Sequence, residues 1–258
     1  MTSLRRAGAA AAIVIGLGLG TAAQAAEEAL APIDRSWSFG GLFGYYDRAA
    51  AQRGFQVYRE VCAACHALEH VAFRNLAELG YNEDQVSAIA AQYEITDGPN
   101  DQGDMFQRPG RPTDHFPPPF ENDAMARLAN GGALPPELSL ITKARASGSD
   151  YLYSLMLGYE EPPADVSGPQ GTYYNLYFPG HWLAMPPPLA DGAVTYADGT
   201  EATLEQMSAD VATFLTWAAE PNLESRKQTG LKVMLFLIVL TGLLFATKRK
   251  VWAPLHQH

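Results

Sequence analysis

The 258-residue sequence predicts a mainly α-helical domain with long proline-rich loops, followed by one C-terminal transmembrane helix. Three observations carry this. Several segments repeat apolar residues at three- and four-residue spacing, which gathers them on one helical face. Between those segments lie clusters of Pro and Gly that interrupt regular structure. Near the end, residues 233–247 contain ten Val, Leu, Ile or Phe among fifteen, and at about 0.3 to 0.6 kcal/mol each their insertion into a bilayer is favourable by about 3 to 6 kcal/mol.

The elements follow in order. Arg5 and Arg6, an apolar run over 7–23 and Ala23-Gln24-Ala25 make residues 1–25 a cleavable signal peptide. Residues 26–228 then form one exported domain, long enough for a single sizeable core and without an internal repeat. A helix is expected over 49–61, with Phe55, Tyr58, Cys62 and Cys65 on one side. A second is expected over 82–94, with Val86, Ile89, Ala90 and Tyr93 on one face. Asp97-Gly98-Pro99, Arg108-Pro109-Gly110 and Pro117-Pro118-Pro119 break regular structure over 97–119. Helices are expected again over 121–130, stopping at Gly131-Gly132, and over 150–157, closed by Gly158. Residues 160–188 are loop-rich, and 194–199 read as a short hairpin. The last helix of the domain opens with a capping box from Thr203 to Gln206, buries Met207, Val211, Phe214 and Ala218, and is stopped by Pro221. The transmembrane anchor covers 229–248, with Lys232 able to snorkel to the interface. A buried core helix in its place would have to hide Lys248, Arg249 and Lys250. The tail, 249–258, is expected on the cytoplasmic side of a bacterial inner membrane, with the domain on the periplasmic side.

Charge is uneven. The exported domain holds all 28 acidic residues against 12 basic ones, a formal charge of −16 that the whole-chain value of −10 conceals. Such a surface repels nucleic acid and attracts basic proteins, or serves solubility alone.

The most specific pattern is Cys62-Ala-Ala-Cys65-His66, which contains the only two cysteines of the chain. Cys-x-x-Cys-His is the sequence on which haem is attached through two thioether bonds, with the histidine at the iron. A thioredoxin-like dithiol wants the pair at the turn of a βαβ unit, and no strand pattern precedes Cys62. A structural zinc site needs four ligands, and only one cysteine pair is present. A disulfide would leave His66 without a reason. A c-type cytochrome domain with one covalently bound haem c follows. His66 supplies one axial position. Met125, Met156 and Met207 stand at helical spacings suited to core packing, and Met234 falls in the anchor. The second axial position is then open to Met185, whose Met185-Pro-Pro-Pro-Leu189 segment is extended and stiff, to His181, or to Met105.

Several longer motifs occur in one order: Arg53-Gly-Phe-Gln-Val-Tyr58 leading into Cys62, Asn130-Gly-Gly-Ala-Leu-Pro-Pro-Glu-Leu-Ser139, Lys143-Ala-Arg145, Asp150-Tyr151, Met185-Pro-Pro-Pro-Leu189 and Trp217-Ala-Ala-Glu-Pro221. With them the chain resembles the cytochrome c1 family, the haem-bearing subunits of the cytochrome bc1 complex, over nearly all of 34–252. The resemblance implies Cys62 and Cys65 as haem attachment points, His66 and Met185 as axial ligands, and Arg145 as the partner of a haem propionate with Tyr151 and Asn130 as polar neighbours. It implies that Pro135-Pro136 orients His66. It further implies an electron-transfer role without catalysis on this subunit. The haem would accept electrons from a Rieske iron-sulfur protein and pass them to a soluble, basic c-type cytochrome. Cytochrome b would be the other companion, in a dimeric quinol:cytochrome c oxidoreductase of a respiratory or photosynthetic chain. In one respect the chain departs from many relatives. They brace a loop near the haem with an additional cysteine pair, and here Glu160 stands where some have cysteine, so the means by which 160–184 is held is an open question. A haem peroxidase, with an open iron position, and a haem-free disulfide oxidoreductase are the alternatives from other classes.

Overall fold

A computed structural model of the chain describes residues 28–253; the expected signal peptide and the final residues of the tail lie outside them. The centre of the fold is a crossing of two helices, α1 (Arg48–Glu60) and α5 (Leu204–Ala219). Asp47 caps α1, its carboxylate accepting from the Ala50 N–H at 3.0 Å. Gly54 decides how closely the two pack. A Cβ there would fall 2.0 Å from the Asp210 carbonyl oxygen, so the helices meet backbone to backbone only because no side chain intervenes. α5 is buried on every side from Met207 to Trp217. Its polar residues are satisfied within that environment: Ser208, Thr213 and Thr216 donate to the carbonyls of Leu204, Ala209 and Ala212. Asp210 receives Arg53 of α1 on both oxygens, at 2.8 and 3.0 Å. The cap at Thr203 forms, accepting from the Gln206 N–H at 3.2 Å. The expected return bond does not, because the Gln206 amide is drawn instead to Asp210, at 3.0 Å.

A layer of aromatic rings lies under α1. Phe55, Tyr58, Phe73, Tyr93, Phe116 and Phe214 have centroids 4.3 to 6.2 Å apart in tilted or edge contacts. A 3₁₀ segment, Phe73–Leu79, and α2 (Glu83–Ala90) complete that side. α2 ends four residues before the expected 94. Glu94–Asp97 instead forms β1, antiparallel to β2 at Phe106–Pro109. Tyr93, expected on the helix face, packs on Phe73 at 5.0 Å, and a Cβ at Gly110 would lie 2.5 Å from the Ala90 carbonyl. The hairpin therefore occupies the space a longer helix would need. Arg108 clamps it, reaching Asp97 and both oxygens of Asp114.

α3 (Asp123–Ala129) starts at its Asn122 cap and is shorter than 121–130. Met125, expected in a core, is exposed there. α4 (Gly148–Leu157) packs on the far face of α5, where Ser149 meets Thr216 at 2.7 Å. Two short strands that the sequence pattern did not reveal, β3 (Tyr173–Tyr174) and β4 (Trp182–Leu183), pair antiparallel in the long loop after α4. The hairpin expected over 194–199 is absent. Val194 and Tyr196 both turn into the core. Local bonds (Gly192 N–H to Ala202 O, Asp198 accepting from Thr200 N–H) and the Arg53–Asp198 pair shape that loop without a ladder.

α6 (Leu223–Trp252) runs 30 residues, about 45 Å at 1.5 Å each, and is long and apolar enough to cross a membrane. It begins six residues before the expected 229, directly after Pro221 and Asn222. Its first turns are bolted to the domain: Glu224 accepts two bonds from Arg48 and one from the Tyr46 N–H, and Lys227 donates to the Phe39 carbonyl.

Candidate haem site

The last turn of α1 tightens into a 3₁₀ turn, Cys62–Ala64. The N–H groups of Cys65 and His66 both donate to the Cys62 carbonyl, at 3.1 and 2.9 Å. This turn keeps both sulfurs and the imidazole on one short piece of backbone rooted in a buried helix. His66 is oriented from across the fold: its Nδ1 lies 2.7 Å from the Pro136 carbonyl. A carbonyl only accepts, so Nδ1 carries the proton and the lone pair resides on Nε2, the tautomer that ligates metal. Burial lowers the His66 pKa and so favours the neutral ring, and the bond to the Pro136 carbonyl opposes this in part. The contact is one stitch of a seam. Leu138 N–H donates to Ala67 O at 2.9 Å, Glu69 N–H to Glu137 at 2.9 Å, and His70 N–H to Ser139 at 3.1 Å. Tyr58 adds a bond from its hydroxyl to the His66 carbonyl.

Cys62 and Cys65 are not joined to each other. Burial pushes the Cys62 thiol up to about 12, with the neighbouring Cys65 a smaller cause. A redox dithiol requires the reverse, a stabilised thiolate. Among the described residues no three His, Cys, Asp or Glu side chains converge to hold a bare metal ion.

Met185 belongs to a different construction. Half-buried, it packs against the same apolar core as Cys62 and Ala63, and the Tyr159 hydroxyl donates to its carbonyl at 3.1 Å. Tyr159 forms an antiparallel bridge with Asn175 across the 160–184 loop. The fully buried Asn175 side chain donates to Leu155 O at 2.8 Å and accepts from Tyr177 N–H at 3.0 Å, while its backbone bonds His181. Gly158 and Gly168 let the loop close, since a Cβ at either would lie 2.5 Å from the Tyr177 ring or 2.1 Å from the Trp182 ring. His181 is buried in this frame: its ring stacks on Tyr174 with centroids 5.1 Å apart, and its Nδ1 lies 3.0 Å from the Asn175 carbonyl. Met105 stands exposed just before β2. Asn175 was missed in the sequence; the available signal was a lone amide among Tyr173, Tyr174, Tyr177 and Phe178.

Arg145 is exposed and lies beside the buried Tyr151, where it partly offsets the upward push of burial on that phenol. Burial raises the Tyr159 pKa, with Tyr151 a smaller cause in the same direction. Asn130 serves its own helix, donating to Ala126 O at 2.7 Å and ordering the turn at Gly131 and Gly132. Leu134 and Leu140, flanking the segment that receives His66, leave apolar side chains exposed.

Fold and site together define a c-type cytochrome domain carried on an apolar helix. Residues 37–255 match the cytochrome C1 family. The chain is 49% identical to cytochrome c1 of Rhodospirillum rubrum, over 97% of each protein. It is 50% identical to cytochrome c1-2, the mitochondrial haem protein of Solanum tuberosum, over 93% of each. To the cytochrome b/c1 of Bradyrhizobium diazoefficiens it is 53% identical over 91% of this chain, which spans only 37% of that longer protein. The chain belongs to the cytochrome c1 family of electron-transfer haem proteins.

Proposed function

We propose that the chain is the haem c subunit of a cytochrome bc1 complex, relaying single electrons from a Rieske iron-sulfur protein to a soluble c-type cytochrome. The observation that carries this reading is the His66 Nδ1 contact with the Pro136 carbonyl, immediately after two cysteines that remain unbonded to each other. The donor set fits haem c. Cys62 and Cys65 offer two thioether attachments, His66 Nε2 and the Met185 sulfur offer an imidazole and a thioether to iron, and Arg145 with Tyr151 offers a cation and a hydroxyl to a propionate. When bound, the haem supplies reversible one-electron storage with no bond made or broken in a substrate. The chain's own task would be to hold the His66 and Met185 side chains still and keep water from the ring. Exposed Leu134 and Leu140 suit an apolar macrocycle. A peroxidase needs an open sixth position, whereas Met185 is backed by a fixed carbonyl.

Cytochrome b and the Rieske protein are the companions in a dimeric assembly. α6 is the one span among the described residues, the signal peptide exports the domain, and the haem faces the periplasm of a bacterial inner membrane. Haem should stay attached after acid extraction of the denatured chain, and the absorption spectrum should be that of a low-spin c-type cytochrome. Extractable haem or two titratable thiols would overturn the reading.

The soluble partner is steered by charge. Asp97 is paired with Arg108. Asp101, Asp104, Glu160, Glu161 and Asp165 are exposed, and none forms an ion pair among the described residues. Oxidation by a basic cytochrome should slow steeply as salt shortens the Debye length below about 10 Å. A rate insensitive to ionic strength would leave these acids a solubility role only.

A further inference from the structure

Residues 37–46 read Trp37-Ser-Phe-Gly-Gly-Leu-Phe-Gly-Tyr-Tyr46, five aromatics in ten residues without a charge, inside a domain of formal charge −16. The haem site uses none of them. Part of the run is core: Phe39 and Tyr46 are buried with centroids 5.4 Å apart, and Trp37 stacks on Phe39 at 5.3 Å. The rest faces outward, Leu42, Phe43 and Tyr45 being 59, 76 and 65% exposed. This exposure belongs to a closed turn. Tyr45 N–H donates to Ser38 O at 3.0 Å and Gly40 N–H to Trp37 O at 2.9 Å. Gly44 packs so tightly that a Cβ would lie 1.9 Å from the Gly40 carbonyl oxygen. The fold thus holds three apolar side chains away from its core.

Their position relative to α6 gives the reason. Lys227 Nζ donates to Phe39 O at 2.6 Å, and Tyr46 N–H donates to Glu224 at 2.8 Å. At ~1.5 Å per residue, positions 224 and 227 lie about 6 to 10 Å before Leu231, where the apolar stretch begins. The headgroup layer on each side of a bilayer is about 5 to 8 Å deep. The turn is therefore rooted at the level where aromatic and aliphatic side chains settle at a membrane surface. Lys232, five positions beyond Lys227, suits phosphate groups at that level, while Arg48 and Arg226 are paired with Glu224 and Glu220.

We propose that Leu42, Phe43 and Tyr45 form a second membrane contact of this chain, seated among phospholipid headgroups beside α6. The proposal rests on the reading of α6 as a spanning helix, and the test separates the two. The full haem-loaded chain is placed in vesicles of phosphatidylcholine with a minority of phosphatidylglycerol. The vesicles carry a photoactivatable phospholipid whose diazirine sits either near the glycerol or at the acyl end, and lipid adducts are mapped by mass spectrometry. The shallow probe should label 42–45 several-fold more than the deep probe does, while 238–243 shows the opposite ratio. The triple variant L42S/F43S/Y45S should lose the loop adducts and keep those on the helix. If α6 is labelled but 42–45 only at the level of Leu128 on α3, the turn lies in water or against protein and the proposal fails while the span stands. Labelling of neither segment would overturn both.

Discussion

His66 follows directly from a helix of 13 residues, whereas Met185 comes after a long segment in which only two two-residue strands are regular. The histidine is fixed by backbone continuity, with one carbonyl from a neighbouring segment setting its ring. The methionine is fixed by side chains: a tyrosine hydroxyl on its own carbonyl, and behind that an asparagine that bonds three separate stretches of chain. Local geometry can hold a ligand cheaply where the chain is helical. Where it is not, buried hydrogen bonds must supply the rigidity, and each becomes costly to remove.

The largest effect should come from Asn175→Leu. It leaves the Leu155 carbonyl and Tyr177 N–H unpaired in the interior, costing about 2 to 5 kcal/mol. Denaturant unfolding should show the loss. The charge-transfer band of methionine-ligated ferric iron should disappear while covalent haem is retained; a variant that kept both stability and band would collapse the contrast between the halves. Met185→Leu is nearly volume-conserving and should cost less than about 1.5 kcal/mol in stability. It should open the iron to small ligands and lower the potential, each ~59 mV corresponding to about 1.4 kcal/mol less preference for the reduced state. An unchanged spectrum and potential would transfer the ligand role to His181 or Met105. The smallest effect concerns the clamp on the histidine side, where the Asp114 carbonyl accepts from Phe73 N–H at 3.0 Å. Arg108 holds the Asp114 carboxyl down at about 2, from an ordinary 3.8. A depressed acid pKa contributes stability that is complete above about pH 4 and is lost as pH falls through about 2. Asp114→Asn should therefore unfold more easily than the parent at pH 6, with the gap narrowing as pH falls toward 2 and closing below it, a convergence read by unfolding curves along that range.

The helices around the histidine half were legible because periodicity and caps act over a few residues: Asp47, Asn82 and Thr203 each cap the helix that the pattern proposed. What escaped was set by contacts distant in sequence. Tyr93 satisfied the helical spacing, yet Phe73 and Phe116 took it and let β1 begin at Glu94. Val194 and Tyr196 alternate like a strand, but their side chains serve α5 and Arg53 rather than a partner strand. Cys62, Cys65 and His66 were evident as a motif. The bond from Pro136, 70 positions away, followed only from resemblance, and the role of Asn175 from nothing in the sequence.

The junction of α5 and α6 has a consequence for traffic. Glu220 at the end of α5 is shared by Lys143 and Arg226, and Glu224 by Arg48 and Tyr46. With only Pro221 and Asn222 between the helices, the domain stands on its membrane stem as a post rather than a pendulum. On the function proposed above, the relay would be stationary, and any distance wider than a single jump would fall to the proteins that bring and remove the electron.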